Sequence, residues 1–335
     1  MSRQLTCIDL FAGAGGLSLG LKAAGFHAVA AVENDVDAVD TYCDAVGAET
    51  VFEEDIRGLN FEKFAGVDLV AGGPPCQPFS IGGLRKGQHD ERDMLAEFVR
   101  VVLEVEPRAF LMENVPNLAS GDNRDYLREV MAPLFDMYRV AGPMVLNAAD
   151  YGVPQSRKRM IVVGMLDREF KMAAPHARKV AAGEVLTKVP RGTPNDSRVV
   201  YAKNPDLRPN PYHGQLFNGG GRAIDLEKPA PTMLASAGGN KTHFIDAGER
   251  VPPYHAHLLK GGKPRVGELP EARRLTVDEC AAIQTFPGDM RFSGARSSQY
   301  RQIGNAVPVK LAAAVGQCIA EQIRAPLRRR ELVSA

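Results

Sequence analysis

Between residues 5 and 165 the chain alternates short apolar runs with stretches of helical spacing, and each apolar run is followed within a few residues by a glycine or an acid. The runs at 5–10, 27–32, 50–52, 67–71, 109–112 and 160–165 read as strands, and 17–24, 36–46, 94–105 and 122–134 read as helices. Steady alternation of this kind predicts an α/β fold, a doubly wound and mostly parallel sheet with helices on both faces. Such sheets place their chemistry just outside the C-terminal ends of the strands. The residues that follow each run are therefore the first place to look for a site.

The run 67–71 leads into Gly72-Gly73-Pro74-Pro75-Cys76-Gln77-Pro78-Phe79-Ser80. The prolines forbid continuation as strand or helix, so Cys76 sits on a stiff turn at a strand end. A rigidly presented thiol suits covalent catalysis. The plainer alternative is a packed core cysteine, but packing alone does not ask for Pro-Pro-Cys-Gln-Pro. The five cysteines are scattered and never form C-x-x-C, which argues against a disulfide framework and a structural zinc site.

After the first run comes Asp9-Leu10-Phe11-Ala12-Gly13-Ala14-Gly15-Gly16. Glycines there let backbone approach a ligand, and the helix N-terminus behind them adds N–H donors. The dinucleotide fingerprint G-x-G-x-x-G fails, because Ser18 occupies its third glycine position. Glu33 ends the second strand, where a carboxylate accepts from ribose hydroxyls, and Asp55 follows the third, placed to accept from an adenine amino group. Each acid alone is equally a loop or helix cap. Together they describe a pocket for an adenosine-containing molecule, and S-adenosyl-L-methionine fits better than a dinucleotide.

Charge divides the chain. Residues 1–167 carry 15 Lys and Arg against 25 Asp and Glu, while residues 168–274 carry 18 against 10. The basic middle segment predicts a polyanionic partner, with a solvated surface as the alternative. The same segment holds 12 of the 23 prolines and 12 of the 33 glycines, which marks a separate loop-rich domain. Regular order returns with helices at 276–284, where Thr276 and Glu279 form a capping box, and at 309–323. The expected organisation is a catalytic domain at 1–167, a second, smaller recognition domain at 168–295 and a C-terminal segment at 296–335 that returns to the first. No apolar stretch reads as a membrane span and no signal peptide is visible, so a soluble, cytoplasmic protein is expected. A monomer is expected as well.

These motifs, in this order, resemble the DNA (cytosine-5)-methyltransferases of bacterial restriction-modification systems. The resemblance covers nearly the whole chain. It runs through 9–16, Glu33 and Asp55, 72–80, and Glu113-Asn114-Val115. It continues through Gln155-Ser156-Arg157-Lys158-Arg159 (the Q-x-R-x-R pattern), Arg274-Leu275-Thr276 with Gln284-Thr285-Phe286-Pro287, and Gln302-Ile303-Gly304-Asn305-Ala306-Val307. It implies that Phe11, Gly13, Gly15, Glu33, Asp55, Ile56, Pro75 and Leu95 line the cofactor pocket, with Asn305 and Val307 near the methionine end.

The implied chemistry starts from a difficulty: cytosine C5 is too poor a nucleophile to take a methyl group directly. Addition of the Cys76 thiolate to C6 makes C5 enamine-like. A free thiol has a pKa of about 8.5, so a neighbouring cation, Arg157 or Arg159, is needed to raise the thiolate fraction. Glu113 is expected to hydrogen-bond N3 and the exocyclic amine as a carboxyl kept protonated by desolvation. Arg157 is expected to stabilise O2 and the thiolate.

The substrate implied is double-stranded DNA with the target base rotated out of the stack. Ser80, Arg85 and the glycines between them resemble a loop that closes on DNA, and Arg92 a phosphate contact beside the target. Gly219-Gly220-Gly221-Arg222 resembles one recognition loop, with Arg222 placed to read guanine. Pro231-Thr232-Met233-Leu234 and Gly238-Gly239-Asn240 resemble the second, with Thr232 as its buttress. The family usually carries a small aliphatic residue after that threonine, where this chain has Met233. A restriction endonuclease acting on the same site is the usual functional partner. An RNA cytosine-C5 methyltransferase and a catalytically silent DNA-binding protein on the same scaffold are the alternatives. The long recognition segment favours duplex DNA over RNA, and intact Cys76, Glu113, Arg157 and Gln155 speak against silence.

Overall fold

The structure, a computed structural model, describes residues 3–75, 94–175, 177–190 and 192–326. In chain order its first elements are β1 (Leu5–Leu10), α1 (Gly16–Ala23), β2 (Phe26–Val32), α2 (Val36–Ala45), β3 (Thr50–Phe52), β4 (Leu69–Gly72), α3 (Leu95–Val105), β5 (Ala109–Asn114), α4 (Asp122–Met131), β6 (Arg139–Asn147) and β7 (Lys158–Met165). There follow α5 (Ala182–Leu186), β8 (Tyr201–Asp206), β9 (Gln215–Phe217), β10 (Phe244–Asp246), α6 (Val251–Leu259), β11 (Ala272–Arg274), α7 (Val277–Ile283), α8 (Arg296–Asn305) and α9 (Val309–Arg324). The chain divides into two compact units. Unit 1 takes the chain up to Tyr151, Lys158–Ala177 and Val307 onward, and unit 2 takes Gly152–Arg157 and Arg178–Ala306. Against the expected spans, the first unit runs past Asp167 to Ala177, α8 lies with the second, and the first half of the Q-x-R-x-R motif is split off into unit 2.

Unit 1 is built on a seven-stranded sheet in the order β3-β2-β1-β4-β5-β7-β6. The first five are parallel, and β7 joins antiparallel to β5 with β6 antiparallel at the edge. The α/β fold expected from the alternation is the one observed. The central strands are buried on both faces, which is why they read as continuous apolar runs rather than alternating ones. Against one face lies α3, whose Leu95, Phe98, Val99, Val102 and Val105 form an apolar stripe, with Phe98 edge-on to Phe110 of β5 at 6.2 Å. Helix α9 packs on α1 at close range. A Cβ on Gly20 would lie 2.4 Å from that of Ala312, so only glycine permits the approach.

Three elements escape a reading by periodicity. Strand β6 contains Gly142-Pro143 at a register shift, a pattern that only an edge strand tolerates. In α6 the prolines 252 and 253 stand in the first turn, where no N–H is required. In α8 the sequence is polar at most positions. One stretch departs from the expected absence of any span-like segment. Arg296–Arg324 has the length and a mean hydropathy of 1.3 of a membrane span, but it is broken between α8 and α9 and 61% of its apolar window is buried, as in a core helix.

Unit 2 has its own core, in which Tyr201, Phe217, Phe244 and Tyr254 stack edge to face over Val199, Leu216, Val251 and Leu258. Its sheets are small, two strands each. The expected capping box of α7 is present: Thr276 Oγ1 accepts from Glu279 N, and the Glu279 carboxylate accepts from Thr276 N at 2.9 Å.

Candidate active site and recognition loops

Strand register brings one set of side chains to the same edge of unit 1. Leu10 pairs with Val32 on one side and Gly72 on the other, Val32 with Phe52, and Gly72 with Met112. The residues just beyond that rung are Phe11, Glu33, Gly73 and Glu113. Strand β7 runs the other way, so Arg159 at its start reaches the same edge and its Nε lies 2.7 Å from Glu113 Oε1. Both side chains are nearly buried, at 12% and 10% exposure. Burial lowers the Arg159 pKa and the Glu113 charge opposes that shift. Gly73 is what lets the carboxylate in, since a Cβ there would stand 3.0 Å from Glu113 Oε2.

The neighbouring Asn114 has a task that motif reading did not assign. Its Nδ2 donates to Pro74 O at 2.9 Å, and its Oδ1 accepts from Val115 N at 2.9 Å. The amide thus fixes the backbone from which Cys76 departs. Met94 N donates to Pro75 O at 3.4 Å, so the chain returns to the point it left. Cys76, Ser80, Arg85 and Arg92 lie outside the described residues.

The cofactor loop is strained in the way its glycines anticipate. Phe11, Gly13 and Gly15 take positive φ, and a Cβ on Gly15 would stand 2.4 Å from Val46. Helix α1 starts there with no side-chain cap from Gly15 and no acid in its first turn. Glu33 Oε2 accepts from Gly13 N at 2.8 Å, and Oε1 from the backbones of Asn34 and Asp35. Each carboxylate oxygen accepts about two hydrogen bonds, so Oε2 retains capacity for a ribose hydroxyl. Asp55 is already gripped by Arg57 through Oδ1 and Oδ2, which holds its carboxyl down at about 2. Oδ2 keeps one lone pair for an amino group. Ile56 is buried, its carbonyl tied to Arg100 of α3, and Leu95 is fully buried at the head of that helix. These donors and acceptors fit an adenosyl group. Val307 is buried in unit 1, and Asn305 is exposed at the end of α8 in unit 2. Among the described residues no group of three His, Cys, Asp or Glu forms a metal site.

Unit 2 gathers the remaining motifs through buried polar side chains. Gln155, fully buried, accepts from Met233 N at 2.9 Å and donates to Gln284 Oε1 at 3.0 Å, and Gln284 donates to Ile303 O. The Arg157 guanidinium, 1% exposed, donates to the carbonyls of Met233 (2.7 Å), Gly304 (2.6 Å) and Ala306 (3.1 Å). The sequence expectation set Arg157 on the base O2. The structure sets it on three carbonyls and sets Arg159 beside Glu113. Thr232 Oγ1 donates to Ser156 O at 2.8 Å. Met233, the departure from the family pattern, is buried with both its N–H and its carbonyl held.

The two glycine loops lie backbone to backbone. A Cβ on Gly219 would collide with Asn240 O at 2.1 Å, and one on Gly221 with Thr242 O. Two buried side chains, His243 and Arg274, lock them. His243 Nδ1 accepts from Arg222 N at 3.0 Å and its Nε2 lies 3.1 Å from Thr232 O, so the ring is the neutral Nε2–H tautomer. Burial pushes its pKa down to about 4. Arg274 is 1% exposed and donates to Thr242 O (2.6 Å), Asn218 Oδ1 (2.9 Å), Asn218 O and Arg198 O (both 3.3 Å), with burial lowering its pKa to about 10. A lone histidine has no sequence signature, and Arg274 was visible only as part of a motif. The Arg222 side chain is exposed.

A family model for C-5 cytosine-specific DNA methylase matches residues 5–321. The Type II methyltransferase M.PspPI of Psychrobacter is 34% identical, over 97% of this chain and 81% of its own length. The Type II methyltransferase M.NgoMIV of Neisseria gonorrhoeae is 32% identical, over 96% and 99%. The Dnmt2 methyltransferase of S. pombe (TM-score 0.67, 16% identity, 96% of this chain and 100% of that one) shares the fold. So does the methyltransferase EhMeth of Entamoeba histolytica (TM-score 0.70, 14% identity, 97% and 100%). With the family model spanning both units and the motif residues assembled as described, the chain belongs to the C-5 cytosine-specific DNA methylases, enzymes that methylate cytosine in DNA.

Proposed function

We propose that the protein methylates one cytosine within a specific duplex DNA sequence, through a covalent adduct between Cys76 and C6 of a base rotated out of the helix. The observation that carries this reading is the Glu113–Arg159 pair, held by strand register at the edge from which the chain runs into Cys76. The thiolate adds to C6 and its electron pair pushes density onto N3 and O2. Glu113 meets N3 and the exocyclic amine, and Arg159 meets O2, where preorganised charge is worth most. This gives Arg159 the part first expected of Arg157, whose guanidinium is committed to carbonyls. Glu113, as the carboxyl, gives its proton to N3 as the adduct forms, and the Arg159 guanidinium beside it stabilises the carboxylate left behind. S-adenosyl-L-methionine, when bound between the loop 11–15, Glu33, Asp55 and Ile56, supplies the methyl group that C5 receives. Removal of the C5 proton by a base then expels the Cys76 thiolate and restores the aromatic ring.

The recognition loops at 219–222 and 232–240 are proposed to read the site, with Arg222 toward a guanine. Ser80, Arg85 and Arg92 are proposed phosphate contacts that position without specifying. A restriction endonuclease sharing the sequence is the proposed functional partner, with no physical complex required. The protein is expected to act as a cytoplasmic monomer. Expression in a host lacking cytosine methylation, followed by bisulfite sequencing, should show one recurring protected motif. Cys76→Ala should abolish transfer and still bind cofactor. Protected cytosines with that variant would remove Cys76 from its role, and none with the wild type, despite bound cofactor, would sink the reading.

A further inference from the structure

Ser18 stands where a dinucleotide fingerprint carries its third glycine, and the chemistry above gives it no task. Its hydroxyl lies 2.6 Å from Asp9 Oδ2 and 2.8 Å from the Tyr42 hydroxyl. Asp9, Ser18 and Tyr42 are 1%, 2% and 0% exposed. Together they connect the end of β1, the first turn of α1 and the middle of α2 beneath the cofactor loop. The Tyr42 ring completes the connection, since a Cβ on Gly15 would stand 3.1 Å from its Cδ2. From the other side Glu33 holds Gly13 N. Asp9 Oδ1 is buried with no hydrogen-bond partner among the described residues.

We propose that Asp9 is a positioning residue for the adenosyl cofactor, holding the loop 11–15 through Ser18 and Tyr42 while its carboxyl is neutral. This rests on the S-adenosyl-L-methionine reading given above. An ionised Asp9 accepts from Ser18, and Ser18 accepts from Tyr42, but Oδ1 then carries buried charge with no donor. A proton on Oδ2 reverses the chain: Asp9 donates to Ser18, and Ser18 donates to Tyr42. One proton therefore sets the direction of every hydrogen bond under the loop. Ser18 favours the Asp9 charge through its hydroxyl and its backbone, but burial and the other groups facing Asp9 oppose it. Glu33 at the end of β2 repels it, and Cys7 on β1 and Tyr42 on α2 are pushed upward by burial and by Asp9 itself. Burial raises the Asp9 pKa to about 7, against the pull of Ser18.

The test is titration calorimetry of S-adenosyl-L-methionine binding between pH 6 and 8.5, in buffers of different ionisation enthalpy, with wild type and Asp9→Asn. The variant mimics the neutral carboxyl and carries the ligand's own titration as a control. Above pH 7 the wild-type Kd should rise relative to the variant by up to about tenfold per pH unit, with uptake of a proton at pH 8 that the variant lacks. Tyr42→Phe, which keeps the ring against Gly15, should weaken binding a few-fold at pH 6. Without ligand, Asp9→Asn should melt above wild type at pH 8.5. Identical pH profiles, or a lower melting temperature of the variant at pH 8.5, would overturn the inference and leave the methyltransferase reading intact. Failure of the wild type to bind the cofactor at any pH strikes at the cofactor reading instead.

Discussion

The two units hold their functional residues by different means. In unit 1 the positions of Phe11, Glu33, Gly73 and Glu113 follow from strand pairing, one residue beyond a common rung, and Arg159 stands three residues beyond Val162 of that rung on the antiparallel β7. Backbone hydrogen bonds repeat along the sheet, so no single side chain carries the arrangement. In unit 2 the glycine loops have little regular pairing; their carbonyls are collected by Arg157, Arg274 and His243, and the Met233 N–H by Gln155. The loops proposed to read DNA thereby have their rigidity delegated to a few buried polar groups. Such groups are costly when left half-satisfied. The two units should therefore respond very differently to single substitutions.

Arg274→Ala tests that difference most strongly. It strands the carbonyl of the fully buried Thr242, worth about 1–3 kcal/mol when unpaired, and frees Asn218 and Arg198 O from the guanidinium that ties them to it. Unit 2 should lose several kcal/mol and the protein its sequence selectivity, while cofactor binding by unit 1 persists. Hydrogen exchange is the direct measurement. Faster exchange at 198–244 with unchanged protection in β1, β4 and β5 is the expected pattern. Uniform loss across both units would show that the division of labour is not real.

The arginines of the Q-x-R-x-R motif sharpen the comparison, because they stand two residues apart on opposite sides of it. Arg159→Ala removes the charge proposed to meet O2 of the base and should lower kcat by roughly 10²–10³, with cofactor affinity little changed and a smaller thermal loss than Arg157→Ala. Arg157→Ala removes a donor to three carbonyls and should lower the melting temperature first. Single-turnover kinetics and thermal unfolding on both variants decide it. Equal thermal losses, or a kcat defect confined to Arg157→Ala, would return the catalytic part to Arg157.

The same division governs what can be read from the amino acids alone. Strands buried on both faces announce themselves as apolar runs, so β1 to β5 and β7 were legible, and with them the edge where Glu33 and Glu113 emerge. Strand β6 was hidden by Gly142-Pro143, and α6 by two prolines that a first helical turn accommodates. In unit 2 the paired glycine loops could be seen, but not what locks them. His243 and Arg274 act on backbone atoms, and backbone acceptors leave no trace in a sequence. Arg157 and Arg159 have the same chemistry and nearly the same address. Only the start of β7 between them separates a clamp on three carbonyls from the partner of Glu113.

The smallest effect separates the units by the sign of their pH dependence. His243 stays neutral in the fold, its pKa lowered from 6.5 to about 4, so between those values the unfolded chain binds the extra proton. Stability of unit 2 is then fully present above about 6.5 and is lost as pH falls toward 4. Asp9 is raised from 3.8 to about 7, so there the folded chain keeps a proton that the unfolded chain releases. Its contribution is fully present below about 4 and is lost as pH rises through 7. Each slope is bounded by about 1.4 kcal/mol per pH unit for one proton. Exchange protection, corrected for intrinsic rates, should weaken around Arg222 and Thr232 from pH 7 to pH 5, and around β1 and α1 from pH 6 to pH 8. His243→Gln should remove the first trend and leave the second. If both trends vanish together, the two units share one titrating group and the neutral histidine is not what ties the recognition loops.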